Sequence, residues 1–230
     1  TQQVLFGAGG IAASVPAGHT VLLCPTIDPS DVERFAAQLG QQGIHTIDAP
    51  MSGGPMRAAD GTMSLMVACL DDVFDRHAKL LNDLSSKLFR ISQRPGDGAR
   101  TKLVNNLLAG INLVGAAEAL ALAQRMGLDV ATTQNVINQS SGQSWIGSDR
   151  MQRALAGDYA PRAHMTWLAK DTALAVQAAC QLSPAAGKRA STGGLAPPDE
   201  ATEPNSSPAP SGAVYPGPLG QHASQVFAQA

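Results

Sequence analysis

A lysine and an asparagine one helical turn apart are the residues of this sequence best suited to chemistry. In the stretch GDGARTKLVNNLLAG, residues 96–110, Lys102 and Asn106 stand at positions i and i+4 of a predicted helix, so their side chains share one face. A lysine accepts a proton near neutral pH only when desolvation or a nearby cation lowers its pKa. An amide beside it can hold a hydroxyl or a carboxylate, whereas Asn105, about 100° away around the helix, is expected to make structural hydrogen bonds. The pair could act in proton transfer, although the residues alone favour a solvated lysine with two asparagines nearby.

A Ser-Gly-Gly turn supplies a second feature that could bind substrate. Ser52, Gly53 and Gly54 follow the strand-like run HTIDAP. A turn of this composition exposes backbone N–H groups that suit a carboxylate, and the serine hydroxyl adds a donor. In isolation, the same three residues more often make an ordinary turn.

Several other residues have a functional and a structural interpretation. Thr26 ends the first predicted strand, at the edge where ligands of open α/β sheets bind. Lys170 and Asp171, taken alone, are an exposed charged pair. Trp145 could line a substrate pocket together with Ser144, but a tryptophan at a helix start favours core packing.

No histidine and no metal site enter the prediction. His45 and His164 lack an identified partner and are expected to be structural. His, Cys and Asp residues do not cluster with metal-ligand spacing, so no metal is expected.

The pattern of apolar residues changes along the sequence and indicates an α/β layer followed by an all-helical one. Short apolar runs alternate with helical periodicity up to the turn at residues 94–98, and helices alone follow. We expect domains at 1–95 and 96–230, with a disordered Pro- and Ser-rich insert at 183–217.

The individual elements are predicted from the same patterns. Predicted strands are 19–27, 45–50, 62–68 and 87–92. Predicted helices are 28–43, 71–84, 99–126, 130–140, 144–156, 164–181 and 219–230, and residues 51–61 are predicted as a loop.

Composition limits the partners. The net charge of 230 residues is -2, with 15% charged residues, so we expect no nucleic-acid partner. No unbroken run of about 18 apolar residues is present, so no membrane partner is expected. Three separated cysteines without CxxC spacing favour a reducing, cytoplasmic location.

Three motifs in the same order resemble the β-hydroxyacid dehydrogenase family, which includes 3-hydroxyisobutyrate, tartronate semialdehyde and L-threonate dehydrogenases. They are DAPMSGGPMRAADGTMSLMV (48–67), GDGARTKLVNNLLAGINLVGAAEALALAQRMGLD (96–129) and LAKDTALA (168–175). The segments SGQSWIGSDRM (141–151) and GDYAPRAHM (157–165) are more similar to the threonate branch.

The resemblance implies a fold, a reaction and roles for particular residues. The fold would be a partial Rossmann-like dinucleotide-binding domain followed by a helical domain like that of 6-phosphogluconate dehydrogenase, assembled as a homodimer or homotetramer. The reaction would be NAD- or NADP-dependent oxidation of a small hydroxy acid, with Lys102 as acid/base. The implied substrate-binding residues are Ser52, Gly53, Gly54 and Asn106, and the implied cofactor-binding residues are Thr26, Lys170 and Asp171.

The dinucleotide fingerprint GxGxxG of the family is absent from this sequence. GAGG at 7–10 lacks the required glycine spacing. We therefore expect the chain to begin about halfway through the cofactor domain and to bind NAD(P) weakly by itself. An inactive, truncated relative that keeps only helical self-association is the alternative. An imine-reducing relative is disfavoured because that branch usually lacks the lysine.

Overall fold

The computed structural model describes residues 1–160, 165–181 and 217–229. An α/β half comes first and a helical half follows. The first half contains α1 (Gln2–Phe6), a 3-10 turn (Ile11–Ala13), β1 (Thr20–Leu23), α2 (Pro29–Gln41), β2 (His45–Asp48), β3 (Met51–Ser52), α3 (Gly54–Ala59), β4 (Ser64–Ala68), α4 (Asp71–Asp83) and β5 (Lys87–Ser92). The second contains α5 (Asp97–Arg125), α6 (Val130–Asn138), α7 (Trp145–Leu155), α8 (Met165–Gln181) and α9 (Pro218–Gln229).

The sheet is mixed, and β4 lies at its centre. β1 pairs with β2 and β4 pairs with β5, both in parallel. β4 also pairs antiparallel with the two-residue strand β3 and, at the single pair Asp48 and Ala68, with β2. All five residues of β4 are buried, as expected for a strand covered on both faces.

Two apolar clusters make up the core of the α/β half. One joins α1 and α2 to β1 and includes Leu5, Val32, Phe35 and Leu39. The second includes Ile47, Leu65, Val67, Val73 and Leu81, and so joins α4 to β2 and β4. The helical periodicity of α2 and α4 thus covers the apolar strands.

The helix α5 is the axis of the helical half and also contacts the sheet. Its first turn is held by Asp48 at the end of β2, whose Oδ2 accepts hydrogen bonds from the N–H groups of Gly96 (2.8 Å) and Ala99 (3.1 Å). Farther along, α7, α8 and α9 pack against it. One strand of the sheet therefore fixes where the helix that carries Lys102 begins.

By length and composition alone, α5 could cross a membrane, since an 18-residue window in it has a mean hydropathy of 1.5. The sequence had predicted no membrane-spanning helix, because it contains no unbroken run of about 18 apolar residues. Such a window is weak evidence for a span, because the core helix of a globular domain passes the same test.

The predicted fold class is confirmed, and one stretch is corrected. Residues 51–61, predicted as a loop, contain β3 and α3. Two residues of strand and six of helix are too short to give a periodic pattern, and β3 exists only because it pairs with β4. α1 and the 3-10 turn were not predicted for the same reason. The domain limits 1–95 and 96–230 stay predictions, and the predicted insert lies outside the described residues except for Gly217.

Candidate active site

Lys102 is buried at the junction between the two halves. Its relative exposure is 7%, and it lines a cavity of about 430 Å³ that Ser52, Gly53 and Gly54 also line. Burial lowers the pKa of Lys102 below its ordinary range, and the negative charge of Asp171 opposes this only in part. Among the residues that the structure describes, no carboxylate lies within ion-pair distance of its ammonium. Burial therefore makes the neutral amine, which can accept a proton, more accessible than it is in an exposed lysine.

The Ser-Gly-Gly turn follows from the end of β3 at Ser52, which pairs with Ser64. Gly53 has φ +136° and Gly54 has φ +66°, a region that side chains other than glycine rarely occupy. A Cβ on Gly54 would meet nothing within 4 Å, so this stretch of backbone is open. The turn can therefore present its backbone groups to a ligand.

A polar network joins α5, α8 and the end of β1. Asn106 Nδ2 donates to Asp171 Oδ2 at 2.6 Å, and Lys170 Nζ donates to the carbonyl of Thr26 at 2.6 Å. Lys170 Nζ also lies 2.7 Å from Asp171 Oδ1. That contact is an ion pair without hydrogen-bond geometry, because Oδ1 has no hydrogen-bond donor among the described residues. A buried acceptor therefore faces the site.

The structure brings the predicted site residues together. Seven of them line the cavity of about 430 Å³, namely Thr26, Ser52, Gly53, Gly54, Lys102, Asn106 and Asp171. Lys170 stands at the edge, with its side chain 49% exposed. Asn105 is exposed and donates to Asn106 Oδ1 at 3.0 Å. The roles assigned to these residues stay predictions.

The core prediction for Trp145 is wrong. The side chain is 57% exposed and lines the same cavity. Ser144 caps α7 by accepting a hydrogen bond from the Gly147 N–H, which places Trp145 on the first helical turn, facing the cleft. Its position at the helix start was visible in the sequence, but the direction of that turn depends on how α7 packs against α5.

Arg57 is a site residue that sequence reasoning missed. Its guanidinium lies over the Trp145 ring, 5.5 Å from the centroid. The only available signal was a cation three residues after Gly54, and its meaning depended on a helix, α3, that was not predicted. His164 lies outside the described residues, and His45 is in β2.

The residues present fit the nicotinamide end of a dinucleotide site. Thr26 follows β1 at the edge of the sheet where such ligands bind, and it lines the cavity with Lys102. The N-terminus of α2, the next helix, is capped by Asp28, whose carboxylate accepts from the Ser30 N–H at 2.8 Å. That N-terminus is therefore not available to a diphosphate. In the described ranges, no group of His, Cys, Asp or Glu could hold a metal ion.

Two family models match the chain, one for each half. Residues 1–92 match the NAD-binding domain of 6-phosphogluconate dehydrogenase. Residues 96–190 match the NAD-binding domain of NADP-dependent 3-hydroxyisobutyrate dehydrogenase. The expected cofactor, NAD or NADP, agrees with both models.

A crystal structure of 3-hydroxyisobutyrate dehydrogenase from Salmonella typhimurium superposes on 99% of this chain and 68% of its own, with a TM-score of 0.76 and 31% identity. The chain belongs to the β-hydroxyacid dehydrogenase family. Among curated members of this family, L-threonate dehydrogenase of Escherichia coli is 36% identical over 178 residues, which are 77% of this chain and 59% of that protein. The 2-(hydroxymethyl)glutarate dehydrogenase of Eubacterium barkeri is 33% identical over 178 residues, again 77% and 59% of the two chains. This β-hydroxyacid dehydrogenase chain thus spans about three-fifths of the length of these curated relatives.

Proposed function

We propose that this protein oxidises a small hydroxy acid of the threonate or 3-hydroxyisobutyrate type with NAD or NADP. The observation that carries the proposal is the buried amine of Lys102, which shares one cavity with the Ser52–Gly54 turn and Asn106. A desolvated lysine beside a carboxylate-binding turn suits proton removal from the alcohol of a hydroxy acid. The relatives named for L-threonate and 3-hydroxyisobutyrate support the same reaction class.

Each polar group of the cavity has a task in this proposal. The backbone N–H groups and hydroxyl of the turn bind the substrate carboxylate. The neutral amine of Lys102 accepts the hydroxyl proton as the alcohol becomes a carbonyl. Asn106 is oriented through its bond to Asp171, and its second amide hydrogen holds the substrate oxygen near Lys102. When bound, the nicotinamide ring supplies the hydride acceptor.

Thr26, Lys170 and Asp171 are the proposed contacts to the nicotinamide end of the cofactor. Lys170 reaches from α8 to the Thr26 carbonyl, so it crosses between the two halves at the place where the sheet edge meets the cavity. The Asp171 carboxylate, 6% exposed, orients Asn106 and offsets part of the positive charge of the site.

The test uses a protein in which the N-terminal GxGxxG unit of an L-threonate dehydrogenase relative precedes Thr1. We expect turnover of L-threonate or 3-hydroxyisobutyrate, and we expect Lys102→Met to lower kcat by about 10²- to 10⁴-fold, the range typical of a general base. Lys79→Met, on the exposed face of α4, is the matched lysine control and is expected to leave kcat unchanged. Equal turnover with and without the Lys102 amine would reject its role.

We also propose that the helical half self-associates, as a homodimer or homotetramer, in the cytoplasm. Exposed apolar side chains on α5, including Val104 (68%) and Leu122 (58%), support an interface, because exposed apolar surface favours association. Three free cysteines are consistent with a reducing compartment. Sedimentation equilibrium that gave the 23.7 kDa mass of one chain would contradict self-association. An inactive protein that retains only this association is the alternative, and the turnover test above decides between the two.

A further inference from the structure

The cleft has a second lobe beside the one that contains Lys102. A cavity of about 350 Å³ is lined by Arg57, Asn105 and Asn112. It shares several lining residues with the cavity of Lys102, namely Ser52, Gly53, Asn106, Trp145, Ile146 and Leu168. We call the two parts the Arg57 lobe and the Lys102 lobe. A ligand held at the shared Ser52–Gly53 wall can therefore extend into both.

The side chain of Arg57 is fixed at both ends. Its stem lies against the turn, since a Cβ on Gly53 would come 2.6 Å from Arg57 Cβ and 2.7 Å from Arg57 Cδ. Its guanidinium carbon lies over the Trp145 ring across the cleft, 5.5 Å from the centroid. Arg57 thus carries a positive charge from the α/β half to the helical half.

The N–H donors of Arg57 remain available to a ligand. The guanidinium has five of them, and they point outward in its plane. Within the described ranges, no carboxylate pairs with Arg57 and no acceptor takes its hydrogen bonds. Arg150, which lines the Lys102 lobe, differs because it lies 3.5 Å from Asp149.

The charge of the Arg57 lobe favours an anion. The described residues that line the two lobes include two arginines, Arg57 and Arg150, and one carboxylate, Asp171, while the proposed reaction needs the amine of Lys102 in its neutral form. Hydrogen bonds from Thr62 are the main cause of the lowered pKa of the nearby Asp60 carboxyl, and the positive charge of Arg57 also helps to lower it. Asp60 is exposed and lines neither lobe.

We propose that the Arg57 lobe is a second anion subsite, which gives the site a preference for hydroxy acids with a second carboxylate at the far end. This rests on the proposed function, in which the first carboxylate binds the Ser52–Gly54 turn and the hydroxyl faces Lys102. A carboxylate matches the planar fork of arginine in a bidentate pair. The amides of Asn105 and Asn112 line the same lobe and add neutral donors.

The test is calorimetric binding, which needs no turnover, of three acids to the protein that carries the added GxGxxG unit, in the presence of NAD⁺ or NADP⁺. The acids are 3-hydroxyisobutyrate, 2-(hydroxymethyl)glutarate, and the derivative of the latter whose far carboxylate is a carboxamide. We expect the dicarboxylate to bind about 10-fold or more tightly than its carboxamide, as for a charge-assisted hydrogen bond.

Three variants test whether Arg57 causes the preference for the dicarboxylate. Arg57→Gln keeps the Cβ, Cγ and Cδ atoms that pack on Gly53, removes the charge, and is expected to abolish the preference while leaving the affinity for 3-hydroxyisobutyrate within about twofold. Arg57→Lys is expected to retain part of the preference, because it keeps the charge without the fork. Arg76→Gln, at an exposed arginine of α4, is the matched control and is expected to change nothing.

Each contrary result has its own meaning. Equal affinity for the dicarboxylate and its carboxamide overturns the second subsite, and so does an Arg57→Gln variant that weakens all three acids alike. If Arg57 discriminates between them but Ser52→Ala leaves the affinity for 3-hydroxyisobutyrate unchanged, the proposed carboxylate site at the turn fails and the Arg57 subsite stands. Absence of binding by all three acids overturns both.

Discussion

At the scale of single residues, a buried carboxylate sets the start of the helix that carries Lys102. Asp48 is 1% exposed, and burial raises its pKa to about 6 although backbone N–H groups of Ala99, Gly96 and Gly98 oppose the shift. A Cβ on Gly98 would come 2.9 Å from Asp48 Oδ2 and 2.6 Å from the Met66 carbonyl. The absence of a side chain at Gly98 therefore lets α5 approach the carboxylate this closely.

This residue predicts a particular dependence of stability on pH. Because the pKa of Asp48 is higher in the folded protein than its ordinary 3.8, its favourable contribution is complete below pH 3.8 and is lost as the pH rises through about 6. Asp48→Asn keeps an oxygen acceptor and cannot ionise. We expect its free energy of unfolding, relative to the native protein, to rise between pH 4 and pH 7, by about 3 kcal/mol at most. Urea unfolding at several pH values measures it.

Asp129→Asn is a control with the opposite sign. Asp129 caps α6, and hydrogen bonds from Thr132 lower its pKa. Its contribution is therefore present above its ordinary pKa and is lost as the pH falls. The free energies of unfolding of the native protein and of Asp48→Asn would contradict this prediction if their difference stayed constant with pH. Asp48 would then ionise as freely in the folded chain as in the unfolded one.

At the scale of elements, glycine sets how closely the helices of the second half approach α5. A Cβ on Gly110 would lie 2.8 Å from Thr172 Cγ2 on α8 and 3.2 Å from Phe227 Cε2 on α9. Gly115, on the same helix, has nothing within 4 Å of such a Cβ. The two positions share the helical backbone and differ in their neighbours.

The pair predicts opposite effects of the same substitution. We expect Gly110→Ala to lower the free energy of unfolding by about 1–3 kcal/mol, because α8 and α9 must move away. Gly115→Ala should raise it by about 0.5–1 kcal/mol through helix propensity. Thermal and urea unfolding of both variants compares them. A stabilised Gly110→Ala variant would show that the three helices are not in close contact at this point.

The same scale explains which parts of the structure the sequence predicted. Long periodic elements such as α2, α4 and α5 were predictable, since each exposes one face and buries another. β3 and α3 were not, because elements of two and six residues exist only through their contacts. The residues of the Ser-Gly-Gly turn, Lys102 and Asn106 were found through their types and spacing. The positions of the Arg57 and Trp145 side chains depend on how α3 and α7 pack, which no local sequence pattern predicts.

At the scale of the whole molecule, the cleft belongs to both halves. The α/β half contributes the turn and the Thr26 carbonyl, and the helical half contributes Asp171 and Lys170. Contacts from Glu33 on α2 to Arg100 on α5, at 2.9 Å, hold the halves together beside Asp48. Burial raises the pKa of Glu33, but hydrogen bonds from Arg100 and Arg94 outweigh this and lower it. Because Lys102 lies where the two halves meet, its amine loses contact with water only when both halves are assembled.

The pKa of the Lys102 amine, measured by NMR titration of the labelled lysine side chains, tests this account most directly. The chain has five lysines, namely Lys79, Lys87, Lys102, Lys170 and Lys188. The account predicts that one amine has a pKa below the usual value of about 10.4, and that this signal disappears in Lys102→Met. A Lys102 amine that titrates together with the exposed Lys79 would contradict the account, because it would place the proposed base in water.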